Sequence, residues 1–161
     1  MAPDAASSLS PQETEDLLAV LDDEYRAHAT YSAVLEDFGD IGPFANIREA
    51  EARHIEALLE LFRHFEITIP PNDWPGRVTR YSNSQEACAA GVSAEIDNAA
   101  LYDLVLAHTS RPALITVYEN LQRASRENHL PAFQRCAAMR GTPQDGPRGQ
   151  GRRFRARRGR K

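Results

Sequence analysis

The chain has 161 residues, of which 42% are hydrophobic and 26% charged, the make-up of one soluble globular domain. No apolar run approaches the roughly 18 residues of a membrane span, the start does not read as a signal peptide, and two cysteines make no disulfide framework, so a cytoplasmic protein with no membrane partner is expected. The net charge of −4 hides a split: residues 1–139 carry 10 Lys+Arg against 22 Asp+Glu, and residues 140–161 carry 9 against 1.

In chain order, residues 1–10 read as a loose leader. Ser10-Pro11-Gln12-Glu13 is a helix start, with serine as cap, proline at the first position and glutamate three residues on. Apolar positions then recur at helical spacing to Phe38. Gly39 to Pro43 is a short turn, and a second helix is expected from Pro43 to about Glu66. Residues 67–83 contain three prolines and a glycine and have no period. Ser84 caps a third helix to about His108. Ser110-Arg111-Pro112 opens a fourth, running to about Ala138, with Pro131 expected to kink or loosen its last turns. Residues 140–161 are Gly- and Arg-rich and read as a disordered basic tail. The domain is thus residues 11–139. Four helices with short, long and short connections predict an all-α, ferritin-like antiparallel four-helix bundle with one long crossover between the second and third helices.

Steps of three and four isolate the inner face of each helix. The first helix gives Leu17, Leu21, Glu24, His28, Tyr31, Leu35 and Phe38. The second gives Phe44, Ile47, Glu51, His54, Leu58, Leu61 and Phe65. The third gives Cys88, Val92, Glu95, Ala99, Tyr102 and Leu106. Each stripe is apolar at both ends and carries a carboxylate near its middle. A buried, unpaired carboxylate costs several kcal/mol, and several at one level repel each other. They need cations, and few basic side chains fall on these stripes. Metal ions meet the need. Glu51-Ala52-Arg53-His54 adds a carboxylate and an imidazole one turn apart, the Glu-x-x-His element of dinuclear carboxylate sites. Glu24 and Tyr31 repeat as Glu95 and Tyr102, with the tyrosine seven residues after the glutamate each time. This suggests a pseudo-twofold pair of hairpins. The tyrosines are either supports for the ligands or ordinary core, and His28 is an extra ligand, a support for the ligands or core.

The fourth helix breaks the symmetry. Aligned on His54, His129 becomes the second histidine, and Arg126 stands where a glutamate belongs. Glu127 points away from His129, and Glu119 lies about 80° off its direction, able to join only through a bulge. Arg126 could instead neutralise a carboxylate internally.

The segments EYRAHATYSAVLEDFG, NIREAEARHIEALLELF, AEIDNAALYDLVL and YENLQRASRENHLPAF resemble the helices of the rubrerythrin-like di-iron branch of the ferritin-like superfamily. More narrowly they resemble its bacterial and archaeal ferritin-like domain of unknown function. The resemblance covers about residues 12–137. It implies a metal site inside the bundle and redox work with iron and oxygen or peroxide. By resemblance Glu24, Glu51, His54 and Glu95 match ligand positions and His129 the second histidine, with Glu119 as the uncertain sixth. There is no four-cysteine iron domain here, so an external electron donor is implied.

Three functional readings stand. The first is a non-haem di-iron oxidoreductase of peroxidase or ferroxidase type, with manganese or zinc as alternative metals; such donors suit these ions, and two of them sit about 3.5–4 Å apart in dinuclear sites. The second is a metal-free helical binding module with Arg126 as counter-ion. The third places nucleic-acid or acidic-surface binding in the tail. A homodimer is compatible with each. His64 and His108 are expected to be exposed, and Trp74 to pack over the bundle. Cys88 is seven residues before Glu95 and Cys136 seven after His129. On antiparallel helices they become neighbours, as packed thiols or as a pair able to form a disulfide under peroxide.

Overall fold

The computed structural model describes residues 8–139. Most of the leader and the basic tail lie outside the described residues. Helix α1 spans Pro11–Phe38. Ser10 Oγ accepts the Glu13 amide at 3.0 Å, and the Glu13 carboxylate accepts the Ser10 amide at 2.9 Å. This reciprocal box satisfies two donors a helix start otherwise orphans. Helix α2 spans Phe44–His64, and Glu66, at φ 55°, turns the chain out of it. Helix α3 spans Ser84–Leu106. Its cap is Asn83, one residue before the expected Ser84: Asn83 Oδ1 accepts the Glu86 amide at 2.9 Å. No strand occurs among the described residues, and no helix is long and apolar enough to cross a membrane.

The fourth helical segment is not continuous. Helix α4, Pro112–Ala124, passes into a π turn at Ser125–His129 and then into α5, Leu130–Ala138. The irregularity precedes Pro131 instead of coinciding with it. Pro131 sits in the first turn of α5. The π turn bonds each amide one residue further back, so it adds a residue without ending the helix.

Helix α1 packs on α2 and α3, α3 on α4 and α5, and α2 on α4. Two apolar clusters fill the interior. One gathers Leu17, Leu21, Leu58, Phe62, Tyr102 and Tyr118; the other gathers Tyr31, Phe44, Cys88 and Phe133. Along α1 the chain passes from the first cluster through Glu24 to the second. Along α2 and α3 it passes from the second, through Glu51 and Glu95 respectively, to the first. Along α4 and α5 it returns through His129 to the second. The polar residues therefore form a layer with apolar packing on both sides.

Phe133 is fully buried, with ring centroids 5.1 Å from both Tyr31 and Phe44. It can approach α3 so closely because residue 91 is glycine. A Cβ there would meet the Phe133 ring at 2.6 Å. Gly91→Ala should therefore cost about 1–3 kcal/mol through overpacking, despite alanine's better helix propensity. Urea unfolding measures it; an unchanged or higher midpoint would show that the ring yields freely.

Cys88 and Cys136 are bonded, with their Cα atoms 5.6 Å apart. The neighbourhood expected from their spacing is met, and as a disulfide between α3 and α5.

Candidate metal centre

Five side chains from four helical segments converge in the polar layer. Glu24 on α1, Glu51 and His54 on α2, Glu95 on α3 and His129 at the end of the π turn are all buried. They form two groups able to hold a metal ion: Glu24, Glu51 and His54, and Glu51, Glu95 and His129. Glu51 belongs to both. Its Oε2 lies 3.0 Å from His54 Nδ1 and its Oε1 lies 3.2 Å from His129 Nδ1. The two imidazoles stack, with centroids 5.4 Å apart and planes 21° from parallel. Glu24 Oε2 lies 3.6 Å from His54 Nδ1 and Glu95 Oε2 lies 3.4 Å from His129 Nδ1, so the second group mirrors the first.

The tyrosines cross between the helices. Tyr31 on α1 donates to Glu95 Oε1 on α3 at 2.8 Å, and Tyr102 on α3 donates to Glu24 Oε1 on α1 at 2.5 Å. Both phenols are held well above their ordinary pKa by burial and by the nearby carboxylates. They remain protonated donors and orient the outer carboxylates. Sequence spacing identifies the pairs Glu24/Tyr31 and Glu95/Tyr102 but not the exchange of partners.

The other predicted residues fall as follows. Arg126 does not face the site. It is exposed and pairs with Asp103 at 2.6 Å, so it neutralises none of the buried carboxylates. The extra residue of the π turn puts Ser125 on the inner face instead, where its hydroxyl donates to Asn98 Oδ1 at 2.6 Å. Asn98 in turn donates to Glu24 Oε1 at 3.3 Å and to Asp23 at 2.8 Å. Sequence reasoning missed Asn98 and Ser125; being small, neutral and polar, neither stands out on a stripe. Glu119 is exposed on α4 and joins neither group, even though the helix is bulged. His28 is half-buried, joins neither group, and is held below its ordinary pKa by burial and by Arg48. His64 and His108 are exposed, the latter bonded to Asp16 at 2.8 Å. Trp74 packs over α1: its indole donates to Asp22 at 2.9 Å, and Arg26 lies 5.6 Å from the ring centroid.

The donor set fits divalent ions. Three carboxylates and two imidazoles are oxygen and nitrogen ligands of the type iron, manganese and zinc accept. Glu95 Oε2 and His129 Nδ1 are buried without a hydrogen-bond partner, which native interiors rarely tolerate and a shared cation would relieve. The protons show the same need. Burial and the neighbouring Glu51 charge push Glu24 up to about 7. Burial would lower His54 and His129, but the carboxylates beside each outweigh it and carry them up to about 10 and about 9. Burial would raise Glu51, but the adjacent Glu24 carboxyl and the two imidazoles hold it below the usual range. Without metal, protons serve as the cations.

A pH dependence follows. The folded pKa of Glu24, His54 and His129 lies above the unfolded one in each case. Their contribution is complete below the unfolded values, about 4.5 for Glu24 and 6.5 for the histidines, and drains away as pH rises to about 7 for Glu24, about 10 for His54 and about 9 for His129. The metal-free protein should lose thermal stability steadily from pH 6 to pH 10. A metal takes deprotonated ligands, so loading should abolish that alkaline loss. Melting curves with and without chelator test this; parallel profiles would rule it out.

No protein-family model matches the chain, and no curated protein does. Among solved structures, a hypothetical protein from Methanococcus jannaschii is similar over 85% of each chain, with 24% identity and a TM-score of 0.73. That likeness concerns the fold alone.

Proposed function

We propose that this chain is a ferritin-like metalloprotein, an antiparallel four-helix bundle with one crossover, that holds two metal ions and acts as a non-haem di-iron oxidoreductase of the peroxidase or ferroxidase type. The bundle reading is supported by the order in which each helix meets the two apolar clusters: α2 and α3 run the same way between them. Two consecutive parallel helices need a long connection, and residues 65–83 supply one. The metal reading is carried by one observation, two buried ligand groups that share Glu51.

In this reading Glu51 would be shared by both ions, Glu24 and His54 would hold one, and Glu95 and His129 would hold the other. The ions, when bound, supply the electron transfer to peroxide or dioxygen. The chain supplies the rest. The apolar clusters close the layer toward both ends of the bundle. Tyr102 and Tyr31 fix the rotation of Glu24 and Glu95 by donating a hydrogen bond to one oxygen of each. Ser125, bonded to Asn98, stands on the inner face of the fourth segment where the mirror of Glu51 would fall, and its neutrality leaves the site with three carboxylates instead of four. An external two-electron donor completes the cycle.

The test is elemental analysis of protein loaded separately with ferrous iron, manganese and zinc, followed by a peroxide-consumption assay with ascorbate. About two iron ions per chain and ascorbate-dependent loss of peroxide are expected. No retention of any of the three metals would sink the reading. Metal retention without reaction would reduce it to a binding protein.

A further inference from the structure

A cavity of about 490 Å³ leads from the surface to the polar layer. Its inner end is formed by Tyr31, Glu51 and Glu95, so it reaches the second ligand group directly. Its walls are α1 and α3, where they present Ala27, Ala90, Gly91 and Ala94; its roof is the long connection, through Trp74, Val78 and Tyr81. The space exists because the wall residues are small. Phe, Leu or Ile at 27, 90 or 94 would fill it, at positions where inner helix faces usually carry such residues.

That volume is out of proportion to dioxygen or hydrogen peroxide. A water occupies about 30 Å³, and hydrogen peroxide on the order of twice that, so a narrow channel would suffice. Sites for organic ligands run about 300–1,000 Å³ and combine apolar walls with a few polar groups. Charge narrows the class. At the rim Arg26 pairs with Asp23 at 2.7 Å, and Arg77 is accompanied by Asp97. The rim is balanced, with no excess charge to select an anion or a cation. The middle mixes alkyl and aromatic surface with the hydroxyls of Thr30, Thr79 and Ser93.

We propose that this cavity is the substrate site, and that it takes an uncharged organic molecule with an aromatic or branched apolar body and one small polar head. The head points to the inner end and the body lies between Ala90, Ala94 and Trp74. Binding needs only the cavity. What then happens rests on the peroxidase reading above: the substrate is an organic hydroperoxide, and ROOH + AH2 → ROH + H2O + A, where AH2 is an external donor of the ascorbate class. The O–O bond breaks; two electrons and two protons from the donor leave as alcohol and water.

Trp74 is the single tryptophan of the chain and lines the cavity, so its fluorescence reports occupancy. The full-length protein, first metal-free and then iron-loaded, is titrated with cumyl alcohol, and with benzoate as a charged molecule of similar size. Saturable change with cumyl alcohol, in the millimolar range or tighter as expected for about ten heavy atoms, and none with benzoate, supports the proposal. Absence of saturation overturns it, and so does equal or tighter binding of benzoate. Ala90→Phe on α3 and Ala27→Phe on α1 each fill the cavity from a different wall. In whichever keeps its helical signal, the cumyl alcohol response should disappear; an undiminished response overturns the site. With iron bound, the same variant should show a ratio of cumene hydroperoxide to hydrogen peroxide turnover lowered about tenfold or more; an unchanged ratio overturns the site. If the alcohol binds but the protein retains no iron, the cavity stands and the metal reading falls.

Discussion

Glu51→Ala should take the metal content from about two ions per chain to near none, whereas His54→Ala and His129→Ala should each leave about one. The asymmetry comes from Glu51 offering one oxygen to each ligand group, Oε2 beside His54 and Oε1 beside His129. Each histidine serves a single group. Glu56→Ala and Glu119→Ala, both exposed, should leave the content unchanged. The helices should survive the loss of Glu51, because removing one of three buried carboxylates also relieves their repulsion. Tyr102→Phe should fall between, weakening metal affinity by about 10–100-fold as loss of a ligand's hydrogen-bond partner generally does. Elemental analysis after exhaustive dialysis reads all of these. Equal content in Glu51→Ala and His54→Ala would remove the shared ligand from the picture.

Reducing the Cys88–Cys136 bond should have the largest effect on stability. It closes a span of 48 residues, and chain entropy assigns such a closure about 4 kcal/mol. The bond ties α5 to α3, next to the Phe133 ring that packs over Gly91. Urea midpoints with and without a phosphine reductant measure the difference, and Cys136→Ser gives it without reductant. Intact far-UV dichroism with a lowered midpoint is expected. An unshifted midpoint in both comparisons would mean that the two sulfurs contribute packing alone.

Most of the ligand layer was legible because helical periodicity is rigid. Once Leu17, Leu21 and Tyr31 define a face of α1, Glu24 has no other place to go, and the same holds for Glu51 and Glu95. The partner exchange of the tyrosines was not legible. Tyr31 stands two turns from Glu24, roughly 10 Å along the axis at ~1.5 Å per residue, beyond hydrogen-bond reach. Its partner had to come from another helix, and only packing says which. The π turn was hidden for another reason. Nothing in Ser-Arg-Glu-Asn-His disfavours an α-helix enough to announce an extra residue. Its trace was the misfit it produced, an arginine on an inner stripe. Had Arg126 been read as evidence against the stripe, Ser125 would have been the inner residue and the bulge the inference.

That bulge has a consequence for how the fourth segment is built. A continuous helix has a single phase: where one residue points dictates where every other points. The π turn cuts the segment into two pieces whose rotations are set separately. Leu114, Tyr118 and Leu121 orient α4 against the first apolar cluster, while Phe133 and the Cys136 bond orient α5 against the second. His129 sits at the seam, aimed by neither piece alone. Regular α geometry through the same five residues, with none deleted, would restore one phase and turn one piece by about 100° relative to the other. Phe133 could then stay in the core only if Tyr118 left it. The five-residue turn thus works as a rotary coupling, set so that two well-packed helices and one imidazole each reach their own target.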